Sequence, residues 1–373
     1  MKYSIREIAE NIKKLPFFDG DMTFDELMAG HTTMKVGGKA ALFVEPANVA
    51  SAAGVLILCA RHDVPVFILG GGSNLIVSDR GFDGIVLSTE KLNKIHFTPV
   101  DGSASACNGG ALGTGCGVCV SDAGEHEGVP AEQMPVLVTS GCGAKMNAIT
   151  DFCAKYGICG LESFAGLPGT AGGASYMNAR CYDSNISDVL IYAEYIDLNE
   201  LSHFTGSIPA AQKDMPFVKK YTMRPEEWSY KHSPFQNKKS LVTEVSFRLI
   251  AKDKRIFDGY SAADPDIQAL IRERNDHFIQ DRITKGHFKA PSAGSVFKNN
   301  HAFGKPSGVL IDEAGLKGTA VGGAQIAPWH GNFIINTGTA TAADIRALVE
   351  LVQKKVQAKT GFMLEPEIIF CGE

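Results

Sequence analysis

A chain of 373 residues exceeds the size of a usual single core, so two or three domains sharing a site are expected. Hydrophobic residues at 45%, charged residues at 21% and 40 glycines describe a globular, ligand-binding α/β or α+β protein with many tight turns. A formal net charge of −5 excludes a general nucleic-acid or anionic-membrane surface, which draws on surplus Lys and Arg, so any bound phosphate must meet local positive charge.

The amino terminus, MKYSIREIAENIKKLPFF, mixes acids and bases through what would have to be the apolar core of a signal peptide, and no long uncharged apolar run follows. A cytoplasmic protein with no membrane partner is expected. Apolar residues then fall at helical spacing from Ala47 to Asp63, and VPVFIL gives a short strand that ends in GGGSN before LIV resumes. Residues 101–119 are dominated by Gly, Ala, Ser and Cys and read as a loop-rich insertion. Nine scattered cysteines, an odd number, fit reduced thiols better than a disulfide framework. Cys116 and Cys119, with Cys107 upstream, lack the second CxxC or paired histidines of a metal cluster, so no metal is expected there.

After the insertion, ITDFCAKYG reads as a helix closed near Gly157, and a second glycine-rich segment, GLPGTAGG, occupies residues 166–173. The strand-like LVTEVSFRLI ends near Ala251, and the charged helical run DPDIQALIRERNDHFIQDRITKG begins a new unit, with a boundary near residue 252. TAADIRALVELVQKKVQAKTG places Ile345, Leu348, Val349, Val352 and Val356 on one helix face with Gly361 as its stop, and a strand, LEPEIIF, is expected directly after it. No internal repeat is present.

Two stretches allow backbone amides to approach a pyrophosphate: Gly70, Gly71, Gly72, Ser73 and Asn74, and the segment holding Gly166, Pro168, Gly169, Thr170, Gly172 and Gly173. Neither is a P-loop or a G-x-G-x-x-G unit. Each alone is an ordinary structural turn, but two in one chain, both beside apolar strand-like runs, favour one extended dinucleotide cofactor. Ser295, within PSAGSVFKNN, is no nucleophile elbow, because Ala293 and Phe297 stand where that turn needs glycines and no histidine base is identifiable. A buried serine in a tight turn is the commonest fate of such a residue, but Arg282, Lys285 and Lys298 gather positive charge near it and Asn299 adds a donor and an acceptor, as an anionic-substrate pocket would need. YKHSPFQ at residues 230–236 reads equally as a polar surface loop. Glu365 and Glu367 alternate onto one side of the expected strand, facing either a site or solvent.

Taken in order, HTTMKVGGKAALFVEP, VPVFILGGGSNLIVSDRGFDGIVL, GICGLESFAGLPGTAGGASYMNA, SAGSVFKNN, GLKGTAVGGAQIA with GNFIINTGTATAADI, and LEPEIIF resemble the UDP-N-acetylenolpyruvoylglucosamine reductase family over nearly the whole chain. The passage from YKHSPFQ to the last domain looks like the shorter, second type of that family. The resemblance implies an α+β protein with a two-subdomain FAD-binding module of the vanillyl-alcohol oxidase (PCMH) type and a smaller α/β substrate-binding domain. It places FAD-binding subdomain 1 at 1–90 joined by a strand at 364–373, subdomain 2 at 91–251 with the Gly/Cys-rich insertion near 101–135, and the substrate domain at 252–363.

By the same resemblance, tightly but non-covalently bound FAD would contact both glycine stretches, and NADPH would reduce it, leave, and be replaced by the UDP-sugar of peptidoglycan synthesis. No obligate protein partner is implied. Ser295 aligns with the family's proton donor and Glu367 with the acid beside the substrate carboxylate. Arg282, Lys285, Asn299 and Gln325 fall at substrate-binding positions. Lys231 stands where the family carries arginine: it keeps the positive charge for an enolate but loses the planar two-pronged grip on a carboxylate. Arg180 and Cys181 replace small residues expected after MNA, and the insertion has no counterpart. Two other readings remain open: a different oxidoreductase on the same flavin scaffold, and a catalytically silent UDP-sugar-binding protein.

Overall fold

The computed structural model describes residues 4–100, 133–207, 209 and 212–372. Most of the Gly/Cys-rich insertion, with Cys107, Cys116 and Cys119, therefore lies outside the described residues. Two compact units emerge: Met1–Glu45, Leu58–Ser88 and Asp281–Glu373 form the first, and Pro46–Ile57 with Thr89–Gln280 the second.

The first unit holds two hydrophobic cores. One lies in a sheet ordered Gly20–Leu27, Lys39–Pro46, Phe82–Ser88, Val66–Leu69, the last three strands parallel. The uninterrupted apolar run Ile85, Val86, Leu87 is buried throughout, as a strand covered on both faces requires. Phe43, Leu69, Leu75, Val77 and Val86 pack together there with Cys371 from the far end of the chain. Cys371 arrives because Ile369–Cys371 pairs in parallel with Leu75–Val77.

The other core fills an antiparallel sheet ordered Ser292–Ser295, Phe333–Asn336, Ala324–Ile326, Ala320–Val321, with the helices Ser307–Glu313 and Ala342–Thr360. The long helix follows the sequence reading: Ile345, Leu348, Val349, Val352 and Val356 are all buried, and Gly361 ends it at φ +79. Its start is fixed by four hydrogen bonds. Thr341 and Asp344 form a capping box, and the Asp79 carboxylate accepts from Ala342 N at 2.8 Å and Ala343 N at 3.0 Å.

The second unit is built on an antiparallel sheet ordered Val218–Thr222, Leu190–Asp197, Ser240–Ala251, Met134–Gly141, Ile95–Pro99. The helices Met146–Lys155 and Ala171–Tyr176 belong to it, as does most of Pro265–Thr284. These two units part inside that last helix, whose first part stays with the second unit: Ile271 packs with Ala154 and Cys159, and Asn275 Nδ2 donates to Thr150 O at 3.2 Å.

One expectation fails. LEPEIIF is not a continuous strand: only Ile369–Cys371 is, and Leu364 to Ile368 precede it with a single bridge from Pro366 to Phe297. The proline lacks the N–H that a ladder needs. The six described cysteines are buried, and burial pushes the thiols of Cys59 and Cys142 up to about 12. No helix among the described residues is long and apolar enough to cross a membrane.

Candidate active site

Three of the sequence-selected features meet within the first unit, joined by backbone hydrogen bonds. Ser295 closes its strand, half-buried, behind Gly294 at φ +71, where a Cβ would meet nothing within 4 Å. The next residue, Val296, accepts at its carbonyl from Glu367 N at 2.7 Å. Glu367 in turn accepts at its own carbonyl from Asn74 Nδ2 at 2.9 Å, and Ile369 N donates to Asn74 O at 3.0 Å. Serine, glutamate and the end of the 70–74 turn thus sit on consecutive, mutually bonded segments.

The turn itself is shaped by packing. Gly72 takes φ +60, and a Cβ there would lie 2.0 Å from the His31 carbonyl oxygen; Thr33 N donates to Gly72 O at 3.1 Å. Behind it, His31 pairs with Glu26 at 2.8 Å and lies against the Phe43 ring, the centroids 4.2 Å apart.

Other residues chosen from sequence already have partners inside the chain. Lys298 Nζ pairs with Glu365 at 2.6 Å, so neither is simply a pocket charge, and Glu365 is exposed. Lys285 pairs with Asp281 at 2.7 Å on the surface. Asn299 Oδ1 accepts from Ser307 N at 2.9 Å, and Gln325 Nε2 donates to Gly318 O at 3.0 Å. Arg282 is buried, and its carbonyl accepts from His287 N at 3.0 Å. Burial, with the Arg282 charge next in weight, holds His287 down to about 4, beside the Phe333 ring.

The second unit carries the other glycine segment and Lys231. Gly166 and Gly169 take φ +76 and +119. The amides of Gly166, Leu167, Ala171 and Gly172 are taken up internally, by Asn147 Oδ1, Phe164 O, Ala144 O and Cys142 O. The expectation that the whole segment offers amides to a ligand is thereby narrowed to the peptides around Gly169 and Thr170. The segment still suits a polar ligand: Ser175 Oγ on the following helix and Thr243 Oγ1 on the Ser240–Ala251 strand are buried with no hydrogen-bond partner among the described residues. These orphaned hydroxyls, small residues and positive-φ glycines fit the FAD that the sequence implied.

Lys231 lies in a two-residue turn closed by Ser229 N to His232 O at 3.2 Å and His232 N to Ser229 O at 3.0 Å. Its φ of +58 is left-handed, which for lysine costs of the order of 1 kcal/mol. Asn178, buried and missed in the sequence reading, ties this turn to the end of the Ala171–Tyr176 helix: its Nδ2 donates to Ser229 O at 2.9 Å, and Ser233 Oγ donates to Tyr176 O at 2.7 Å. An open depression of about 480 Å³ adjoins the turn, lined by Trp228, Ser229, His232 and Lys238 among others, but not by Lys231.

Comparison with known proteins bears on this arrangement. A family model described as the C-terminal domain of UDP-N-acetylenolpyruvoylglucosamine reductase matches residues 286–371, which include Ser295 and Glu367, and an FAD binding domain model matches residues 40–114, which include the 70–74 turn. A reductase of that name from Treponema denticola is 39% identical over 357 residues, 96% of this chain and 95% of the relative. Its namesake from Treponema pallidum is 37% identical, over 93% and 92%. The crystal structure of the reductase from Thermus caldophilus superposes with a TM-score of 0.59 at 27% identity, over 95% of this chain and 99% of that one, so the fold is the FAD-binding α+β fold of that enzyme. With relatives this similar along almost its entire length, the chain belongs to the UDP-N-acetylenolpyruvoylglucosamine reductase family, a family of FAD-dependent oxidoreductases.

Proposed function

We propose that the protein reduces UDP-N-acetyl-enolpyruvoylglucosamine to UDP-N-acetylmuramate in the cytoplasm, with NADPH as the hydride source. When bound, FAD would accept hydride from NADPH and return it from N5 to the terminal carbon of the enolpyruvyl ether. The residues of this chain then have three tasks: to place the substrate, to bear the negative charge that spreads onto its carboxylate, and to deliver one proton to the neighbouring carbon.

Ser295 gives that proton. A hydroxyl is a weak acid and serves only when tightly placed and resupplied, and its half-buried position leaves a route for water. Glu367 faces the developing charge, and Lys231 neutralises it as an ammonium. Arg282 and Lys285 hold the nucleotide-sugar phosphates, and Asn299 and Gln325 wall the pocket while keeping their intrachain bonds. Gly70 to Asn74, and Gly169 with Thr170, hold the cofactor. In the same reading the two cores of the first unit are FAD-binding subdomain 1 and the substrate-binding domain, and the second unit contains subdomain 2.

The observation that supports the reading is the bonded sequence Val296, Glu367, Asn74, which sets Ser295, Glu367 and the 70–74 turn on adjoining segments. Purified protein should be yellow and bleach with NADPH, and the enolpyruvyl sugar nucleotide should restore the colour without oxygen. Reoxidation by oxygen alone points instead to another oxidoreductase on this scaffold, and a colourless protein that still binds the nucleotide points to a silent binding protein.

A further inference from the structure

We infer that Asn332 is a positioning residue for the proton donor, an inference that rests on the role proposed for Ser295. Asn332 stands immediately before the Phe333–Asn336 strand and is 4% exposed. Its main-chain oxygen accepts from Val296 N at 2.9 Å. Its Oδ1 accepts from Phe297 N at 2.9 Å, and its Nδ2 donates to Phe297 O at 2.8 Å. One buried residue therefore takes the N–H of the first residue after Ser295 and both backbone groups of the second. Asn332 is itself held, because its N–H donates to His330 Nδ1 at 3.2 Å, against the face of Phe333.

On the other side Val296 O accepts from Glu367 N. The Val296–Phe297 peptide is thus gripped from both sides, by Asn332 and by the backbone of the catalytic acid. Ser295, which pairs with Phe333 across the sheet, cannot shift without breaking one grip. Proton transfer is sensitive to such shifts: a displacement of about 1 Å costs up to roughly 100-fold in rate. A leucine at 332, with the same branched skeleton but no polar atoms, would leave the Phe297 N–H and C=O unpaired in buried surroundings, and both would move to find partners, carrying Ser295 with them. A residue that only filled space would lower stability and flavin content without changing the balance between the half-reactions.

The test is single-turnover flavin spectroscopy on the FAD-loaded wild type, Asn332→Leu, Asn332→Ser and Ser295→Ala. Expected are flavin reduction by NADPH within about twofold of wild type in all four, and reoxidation by the enolpyruvyl sugar nucleotide slowed about 10- to 100-fold in both Asn332 variants, with substrate affinity changed less than about threefold. Asn332→Ser, whose hydroxyl is too short to span both Phe297 groups, carries the test if the leucine variant does not fold. Wild-type reoxidation in the Asn332 variants beside a slow Ser295→Ala overturns the inference, as does an equal loss in both half-reactions. Wild-type reoxidation in Ser295→Ala overturns the serine's role instead, and the inference falls with it.

Discussion

The end of the Ser295 strand and the Lys231 turn carry two of the proposed catalytic groups, and the chain holds them by opposite means. Around Ser295 the backbone does the placing: Asn332, Glu367 and Phe333 bond the residues at and after it from both sides, and a single torsion, χ1, then sets the hydroxyl oxygen. Around Lys231 the placement comes from a left-handed backbone in a turn closed by two hydrogen bonds, with Gln236 Nε2 donating to its carbonyl at 3.0 Å and a long flexible side chain beyond. A short group needs an over-determined backbone; a long charged one needs only the right direction.

The comparison breaks most visibly at Lys231. Lys231→Gly removes the charge and relieves the positive φ, so reoxidation by the sugar nucleotide should slow about 100-fold while the melting temperature holds or rises slightly. A melting temperature several degrees lower would mean that the turn is not strained. Lys231→Arg should keep or raise activity; an inactive arginine variant would show a pocket rebuilt around lysine.

The 70–74 turn resembles the serine segment in being fixed by close backbone packing. Gly72→Ala adds a Cβ that would lie 2.0 Å from the His31 oxygen at φ +60, and should cost about 2–4 kcal/mol, read as a lower Tm and weaker retention of flavin. An unchanged Tm would mean that this turn has slack.

The smallest effect concerns His287. Its folded pKa of about 4 lies below the ordinary 6.5, so the neutral ring is the folded form. Between pH 6.5 and 4 the unfolded chain takes up a proton that the folded chain refuses, and stability is lost as pH falls through that window and levels off below it. His287→Gln should make the fall in Tm between pH 7 and pH 4.5 shallower by an amount equivalent to about 1–2 kcal/mol; an identical slope would mean that the ring titrates normally.

Much of this was legible in the sequence, for identifiable reasons. The Ala342–Thr360 helix announces itself by period, cap and terminal glycine, and Ser295 and Glu367 by the motifs around them. The sequence pattern nonetheless puts Glu367 in a strand, because the β-branched Ile368 and Ile369 spread their signal back over Pro366, whereas the strand begins only at Ile369. Asn332 and Asn178 lie within the motifs GNFIINTG and SYMNA, but nothing in those strings shows which backbone they bond. Their work is done by side-chain amides bonded to backbone 35 and 51 residues away in sequence, and such bonds leave neither a period nor a characteristic neighbour. The Lys298–Glu365 pair, 67 residues apart, was missed for the same reason.

The pairing of Ile369–Cys371 with Leu75–Val77, and of Asn74 with Glu367 across 293 residues, bears on how the molecule is made. As the ribosome delivers the chain, the early strands emerge long before the segment that finishes them. The 70–74 turn must wait, its neighbouring edge unpaired, while 293 further residues are made, and contacts of such long range are slow to close. A variant lacking residues 367–371 would keep almost every described helix and strand yet lose Glu367 and the strand beside Leu75.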